Sequence, residues 1–153
     1  MAAIAASLVL SAASVATAAQ QRVGDWLVDA EADRFSEEKT TVVALTIADD
    51  GALAVRCLRG ELSLALLGKY RTGDLFVVKF RADRNAVIET VAKAISDDVM
   101  EIVTMPRMVR QMLSAREYAF RVMGAAASRD MIFRAGRGAP KAIGAVTKAC
   151  PLD

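Results

Sequence analysis

The chain has 153 residues, 25% of them charged, with 20 Lys and Arg against 18 Asp and Glu and no histidine. That length suits one domain with a real core. The missing imidazole excludes Ser-His-Asp and Cys-His nucleophile systems and any histidine-containing metal site.

Residues 1–19 read as a secretory signal peptide. No charged residue occurs before Arg22, and the stretch from Ile4 to Val15 is an apolar run flanked by alanine and serine. Its length matches a signal-peptide core and falls short of the roughly 20 apolar residues that span a bilayer. Ala16-Thr17-Ala18 supplies the small-x-small pattern a signal peptidase needs, which puts cleavage near Ala18 or Ala19. The n-region carries no Lys or Arg. The expectation is a periplasmic or secreted protein with a single mainly-β domain over 20–153 and no transmembrane segment once the leader is removed. In an oxidising compartment the pair Cys57 and Cys150 suggests one disulfide, with two free thiols as the alternative. Two isolated cysteines make neither the usual zinc site nor a CxxC exchange motif.

Val23 to Ala32 reads as a strand with Trp26, Val28 and Ala30 on one face. Phe35 to Lys39 is a polar connection. Thr40 to Ala48 is rich in β-formers, with Val43, Leu45 and Ile47 on one side. Asp49-Asp50-Gly51 signals a tight hairpin. Leu53, Val55 and Cys57 share a face of the next strand, Arg59-Gly60 turns the chain again, and Leu62, Leu64 and Leu66 follow at period two. After a loop over 68–73, Leu75 to Ala82 points Phe76, Val78 and Phe80 inward and Lys79 and Arg81 outward. Further strands are expected over 87–93 and 99–104.

The period then changes. Met105, Met108, Val109, Met112 and Leu113 recur at helical spacing, with Pro106 where a first-turn proline is tolerated. Such a methionine stripe is a core face before it is a binding surface. Tyr118, Phe120 and Val122 restore strand alternation, and Met131 to Phe133 is a short strand. Gly136 to Gly138 ends it, and Pro140 opens a helix with Ile143, Val146, Thr147 and Cys150 on one face. Trp26, Phe76, Phe80, Tyr118 and Phe120 are the expected large core residues. The predicted fold is a small β-sandwich or partly open barrel of about seven to nine strands with two short helices.

Motifs that carry chemistry are sparse. Arg22 to Thr104 holds eleven Lys and Arg against fifteen Asp and Glu, whereas Met105 onward holds nine against three, so the halves carry about −4 and +6. Arg129, Arg134, Arg137, Lys141 and Lys148 form the basic C-terminal set and are candidate partner-binding residues. The aromatics near them are spaced as core, which argues against nucleic acid. Asp29, Glu31 and Asp33 alternate on one strand; they read first as a solvated strand edge, and are the only carboxylates to nominate for an acid/base pair. No cofactor or metal motif stands out, and Gly136-Arg137-Gly138 lacks the surroundings of a dinucleotide fingerprint.

The order of these features resembles the VasI or TagO group, periplasmic accessory proteins associated with type VI secretion. The matching segments are Asp25-Trp26-Leu27-Val28 after a leader, an acidic stretch into Lys39-Thr40-Thr41-Val42, and a strand ending in Arg56-Cys57. They continue with Arg81-Ala82-Asp83, the helix from Met108 to Leu113, Tyr118-Ala119-Phe120-Arg121, Ile132-Phe133 with Gly136, and a closing helix ending at Cys150. Leu58-Arg59-Gly60 departs from the polar residues such proteins carry at that point. The resemblance implies a non-enzymatic interaction module with a Cys57–Cys150 cystine, a structural Trp26 and an envelope or periplasmic protein as partner. The alternative is an envelope ligand-binding protein, or an inhibitor of a periplasmic hydrolase, that uses the basic C-terminal region.

Overall fold

A computed structural model describes residues 20–32 and 40–153. The expected leader over 1–19, Asp33 and the expected polar connection over 35–39 lie outside the described residues. Ten strands and two helices are present among them. In chain order these are β1 (Gln21–Val23), β2 (Trp26–Ala32), β3 (Thr40–Ala48), β4 (Gly51–Leu58), β5 (Glu61–Leu67), β6 (Leu75–Ala82), β7 (Ile88–Ala94), β8 (Val99–Ile102), α1 (Pro106–Met112), β9 (Glu117–Met123), β10 (Ser128–Arg134) and α2 (Ala139–Ala149).

All ten strands belong to one open antiparallel sheet in the order β1-β2-β3-β4-β5-β8-β7-β6-β9-β10. The mainly-β expectation holds; a single open sheet of ten strands stands where a small sandwich or partly open barrel of about seven to nine was expected. The extra strand comes from the first segment. Gly24 adopts a left-handed φ of 62°, so the chain reverses at Gly24-Asp25 and pairs Val23 with Trp26. A continuous apolar pattern thus conceals a hairpin.

The sheet rolls around its core and stays open, with loops meeting where no ladder joins its two edges. The Asp25 amide donates to the Arg137 carbonyl at 2.8 Å. This joins the β1–β2 turn to the connection between β10 and α2, from opposite ends of the strand order. The approach is close enough that a Cβ on Gly24 would lie 2.1 Å from the Arg137 oxygen, and one on Gly138 would lie 2.3 Å from the Val23 oxygen. Glycine is required at this seam both for its backbone conformation and for the space it leaves.

The inner face carries Val28, Val42, Ala44, Val55, Leu64, Val78, Phe80, Ile102 and Phe120, all buried. Helix α2 lies across β2, β3 and β4 and buries Ala142, Ile143 and Val146. Its last turn delivers Cys150 to Cys57 on β4, where the two form a disulfide with Cα atoms 5.6 Å apart. Helix α1 buries Met108, Val109 and Met112, so the methionine stripe is core.

Two details differ from the sequence reading. On β3, Val43, Leu45 and Ile47 do share a face, but Val42, Ala44 and Thr46 are the buried set. Both parities of that strand are largely apolar, and alternation alone cannot say which points inward. Trp26, Phe80, Tyr118 and Phe120 are buried, whereas Phe76 is only half-buried. It sits at the open end of β6 against Tyr70, ring centroids 5.9 Å apart, and beside Gly124, which has no side chain to cover it.

Trp26 is fully buried and donates its indole N–H to the Ala135 carbonyl at 2.8 Å. Trp26→Ala removes a large core side chain and leaves that carbonyl unpaired. The expected loss is about 3–5 kcal/mol, read as a fall in the urea unfolding midpoint. An unchanged midpoint would show that Trp26 does not anchor the core.

Candidate functional site

The basic set named from the sequence does not form one surface. Arg129 lies over the Tyr70 ring, 5.7 Å from its centroid, at the start of β10. Arg134 occupies the opposite parity of the same strand from Met131 and Phe133, and points away from the core. Arg137 sits at the seam, where its amide donates to Asp25 Oδ2 at 2.7 Å and its guanidinium lies 3.6 Å from Oδ1. Lys141 and Lys148 are on the exposed side of α2. Asp29 and Glu31 are exposed on β2, facing Val43 and Thr41 of β3, and Asp33 lies outside the described residues. No group of three or more His, Cys, Asp or Glu side chains is placed to hold a metal ion among the described residues.

The outer face of β6, β7 and β8 is the feature that the sequence reading missed. Leu75 and Val77 on β6, Val91 on β7, Ile95 just beyond it and Val103 just after β8 are all exposed there. Together they line an open groove of about 860 Å³. Single exposed apolar side chains need no explanation, whereas a contiguous set of this kind is a candidate contact surface.

Charged groups of both signs surround the apolar residues. Lys79 and Glu89 pair across β6 and β7 at 3.8 Å. Lys93 stands in register with Glu101 of β8. Glu101 also forms an ion pair with Arg56, whose Nε donates to Ser63 Oγ at 3.1 Å. This pairing fixes Arg56, part of the Arg56-Cys57 segment, on the outer side of β4 while Cys57 points inward. The sequence held a signal for this face, because the outward parity of β6 begins with Leu75 and Val77 before it becomes charged at Lys79 and Arg81.

No protein-family model, curated protein or solved structure matches the chain.

The seam has its own electrostatics. The Arg137 backbone N–H holds the Asp25 carboxyl below the usual carboxylate range, and the charges of Arg137 and Arg22 add to this. Hydrogen bonds from Thr72 lower Asp97 in the same way, and the Arg121 guanidinium lowers Asp130. A carboxyl depressed in the folded state binds fewer protons there than in the unfolded chain. Its contribution to stability is therefore complete above its ordinary value of 3.8 and is lost as pH falls through the lower folded value. The unfolding midpoint should thus drop as pH falls below about 4. Asp25→Asn should flatten that acid limb without abolishing it, because Asp97 and Asp130 act in the same direction. An acid limb identical to wild type in chemical denaturation from pH 2 to 7 would remove Asp25 from the account.

Proposed function

We propose that the chain is an exported, non-enzymatic interaction module that works in the periplasm through the outer face of β6, β7 and β8. The contiguous exposed apolar row on that face carries the reading. Leaving it in water forgoes burial worth about 25 cal/mol per Å², and a partner that covers it recovers that free energy. The Cys57–Cys150 disulfide suits an oxidising compartment, in keeping with the leader read from residues 1–19. Among the described residues, no helix is long and apolar enough to cross a membrane.

The resemblance to the VasI and TagO proteins supplies the finer form of this proposal, an accessory role in type VI secretion exerted through protein contacts. The alternative, a ligand-binding protein or hydrolase inhibitor acting through the basic C-terminal residues, needs those cations to converge. Arg129 and Arg134 lie on opposite parities of β10, and Arg137 is engaged with Asp25. The outer face is the better-supported contact surface.

A photo-crosslinking side chain placed at Val91 tests the reading in intact cells, with Lys141 on α2 as the reference position. The expected result is a discrete protein adduct from position 91, recovered in the periplasmic fraction, and none from position 141. No adduct from position 91, or the same adducts from both, would remove the proposal.

A further inference from the structure

We infer that the occupant of this face is a second copy of the chain, packed face to face about a two-fold axis. The inference rests on the reading of the face as a contact surface. Along the outer sides of β6 and β7, register defines three levels. Lys79 faces Glu89, Val77 faces Val91, and Leu75 faces Lys93. Val103 continues the middle level, since its amide donates to the Val91 carbonyl at 2.9 Å, and Glu101 continues the third beside Lys93.

A two-fold axis lying in the face along the middle level reverses strand direction and exchanges the two outer levels. Val91 then meets its own counterpart. Glu89 of each copy comes over Lys93 of the other, so the cross-pair forms twice. The stem of Lys79 covers Leu75, leaving its ammonium at the rim. Outer positions on β7 are spaced about 6.8 Å apart, which leaves room for the charged pairs to flank the apolar centre. Aligned face packing of two sheets, about 10 Å apart and rotated by roughly 30°, accommodates this arrangement.

The sequence Glu89-x-Val91-x-Lys93 is therefore opposite in charge about its own centre, the condition for a patch to be complementary to itself. A lipid or polymer of one charge sign would meet unfavourable groups, because Glu89 and Glu101 stand among Lys79 and Lys93. The apolar centre is large enough to matter. Val77, Val91 and Val103 at the middle level retain 38, 54 and 59% of their accessible surface in the single chain, and Leu75 beneath the Lys79 stem retains 72%.

The test is the mass of the purified protein by light scattering across a concentration series, with unfolding midpoints confirming that each variant folds. Wild type should run as a dimer and Val91→Glu as a monomer. Glu89→Lys and Lys93→Glu each set like charges against each other twice, and each should weaken self-association by roughly tenfold or more. Mixing these two variants in equal amounts pairs opposite charges at both contacts and should restore a dimer, seen as a heterodimer by native mass spectrometry. Lys148→Glu, on α2, should leave wild-type behaviour unchanged. A wild type that stays monomeric at about 100 μM, well above a micromolar dissociation constant, overturns the inference; a crosslink from Val91 to a different protein would still support the contact surface. A dimer unaffected by Val91→Glu, or single-reversal variants that stay monomeric when mixed, overturns the proposed two-fold geometry.

Discussion

The hydrogen bond from the Trp26 indole to the Ala135 carbonyl is the contact on which the rest of the molecule depends. It joins β2, near one end of the strand order, to the residue that follows β10 at the other. The same indole meets the Tyr118 ring edge-on at 6.5 Å, and the Tyr118 hydroxyl donates to the Met112 carbonyl at 2.9 Å. One buried aromatic cluster thus positions β2, β9, the end of α1 and the start of the connection to α2. A neutral hydrogen bond contributes only about 1 kcal/mol net, but leaving its buried acceptor unpaired costs about 1–3 kcal/mol. The cluster therefore penalises any arrangement in which the rolled sheet opens. The disulfide adds a constraint at the far end of α2, across a sequence separation of 93 residues. In the chain-entropy model, closing a loop of that length is worth about 4–5 kcal/mol. With the tryptophan at one end of α2 and the cystine at the other, the helix is held across β2 to β4 and the core is sealed.

That closure also determines which surface remains available. Rolling the sheet gives it an inner face packed on itself and on two helices and, among the described residues, an outer face left exposed at β6 to β8. Where outward positions are charged, as at Lys79 and Arg81, water or an opposite charge such as Glu89 serves as the partner. Where they are Leu75, Val77, Val91 and Val103, the same geometry leaves an apolar row exposed. The functional proposal and the dimer both follow from this division, with no reactive group required.

Much of this was legible in the sequence. The turns at Asp49-Asp50 and Arg59-Gly60 and the alternation through Leu66 mark the β3–β5 meander, and the methionine spacing marks α1. The position of Cys150 at the end of an amphipathic helix fits a link to an inward strand residue. What stayed hidden depends on distant contacts. Local signals do not show that β5 pairs with β8 instead of β6, because that choice reflects packing of the whole sheet. Clustering of Arg129, Arg134 and Arg137 in sequence suggested a patch, but strand parity and the Asp25 pairing separate them. Val43, Leu45 and Ile47 have the alternation of a core face and lie outside it. Apolar residues on both parities of a strand leave the inward face undecided, as on β3 and at the start of β6.

The central claim is that the outer face is covered when the protein is assembled. Methyl NMR with a soluble paramagnetic agent measures this directly, because relaxation enhancement reports the approach of solvent to each side chain. At assembling concentrations, the methyls of Leu75, Val91 and Val103 should be strongly shielded relative to Ile132, which is 52% exposed on β10 outside the groove. Enhancement at all four in proportion to their exposure in the single chain would mean that the face stays in water between copies, and the account of this face as the seat of self-association would fail.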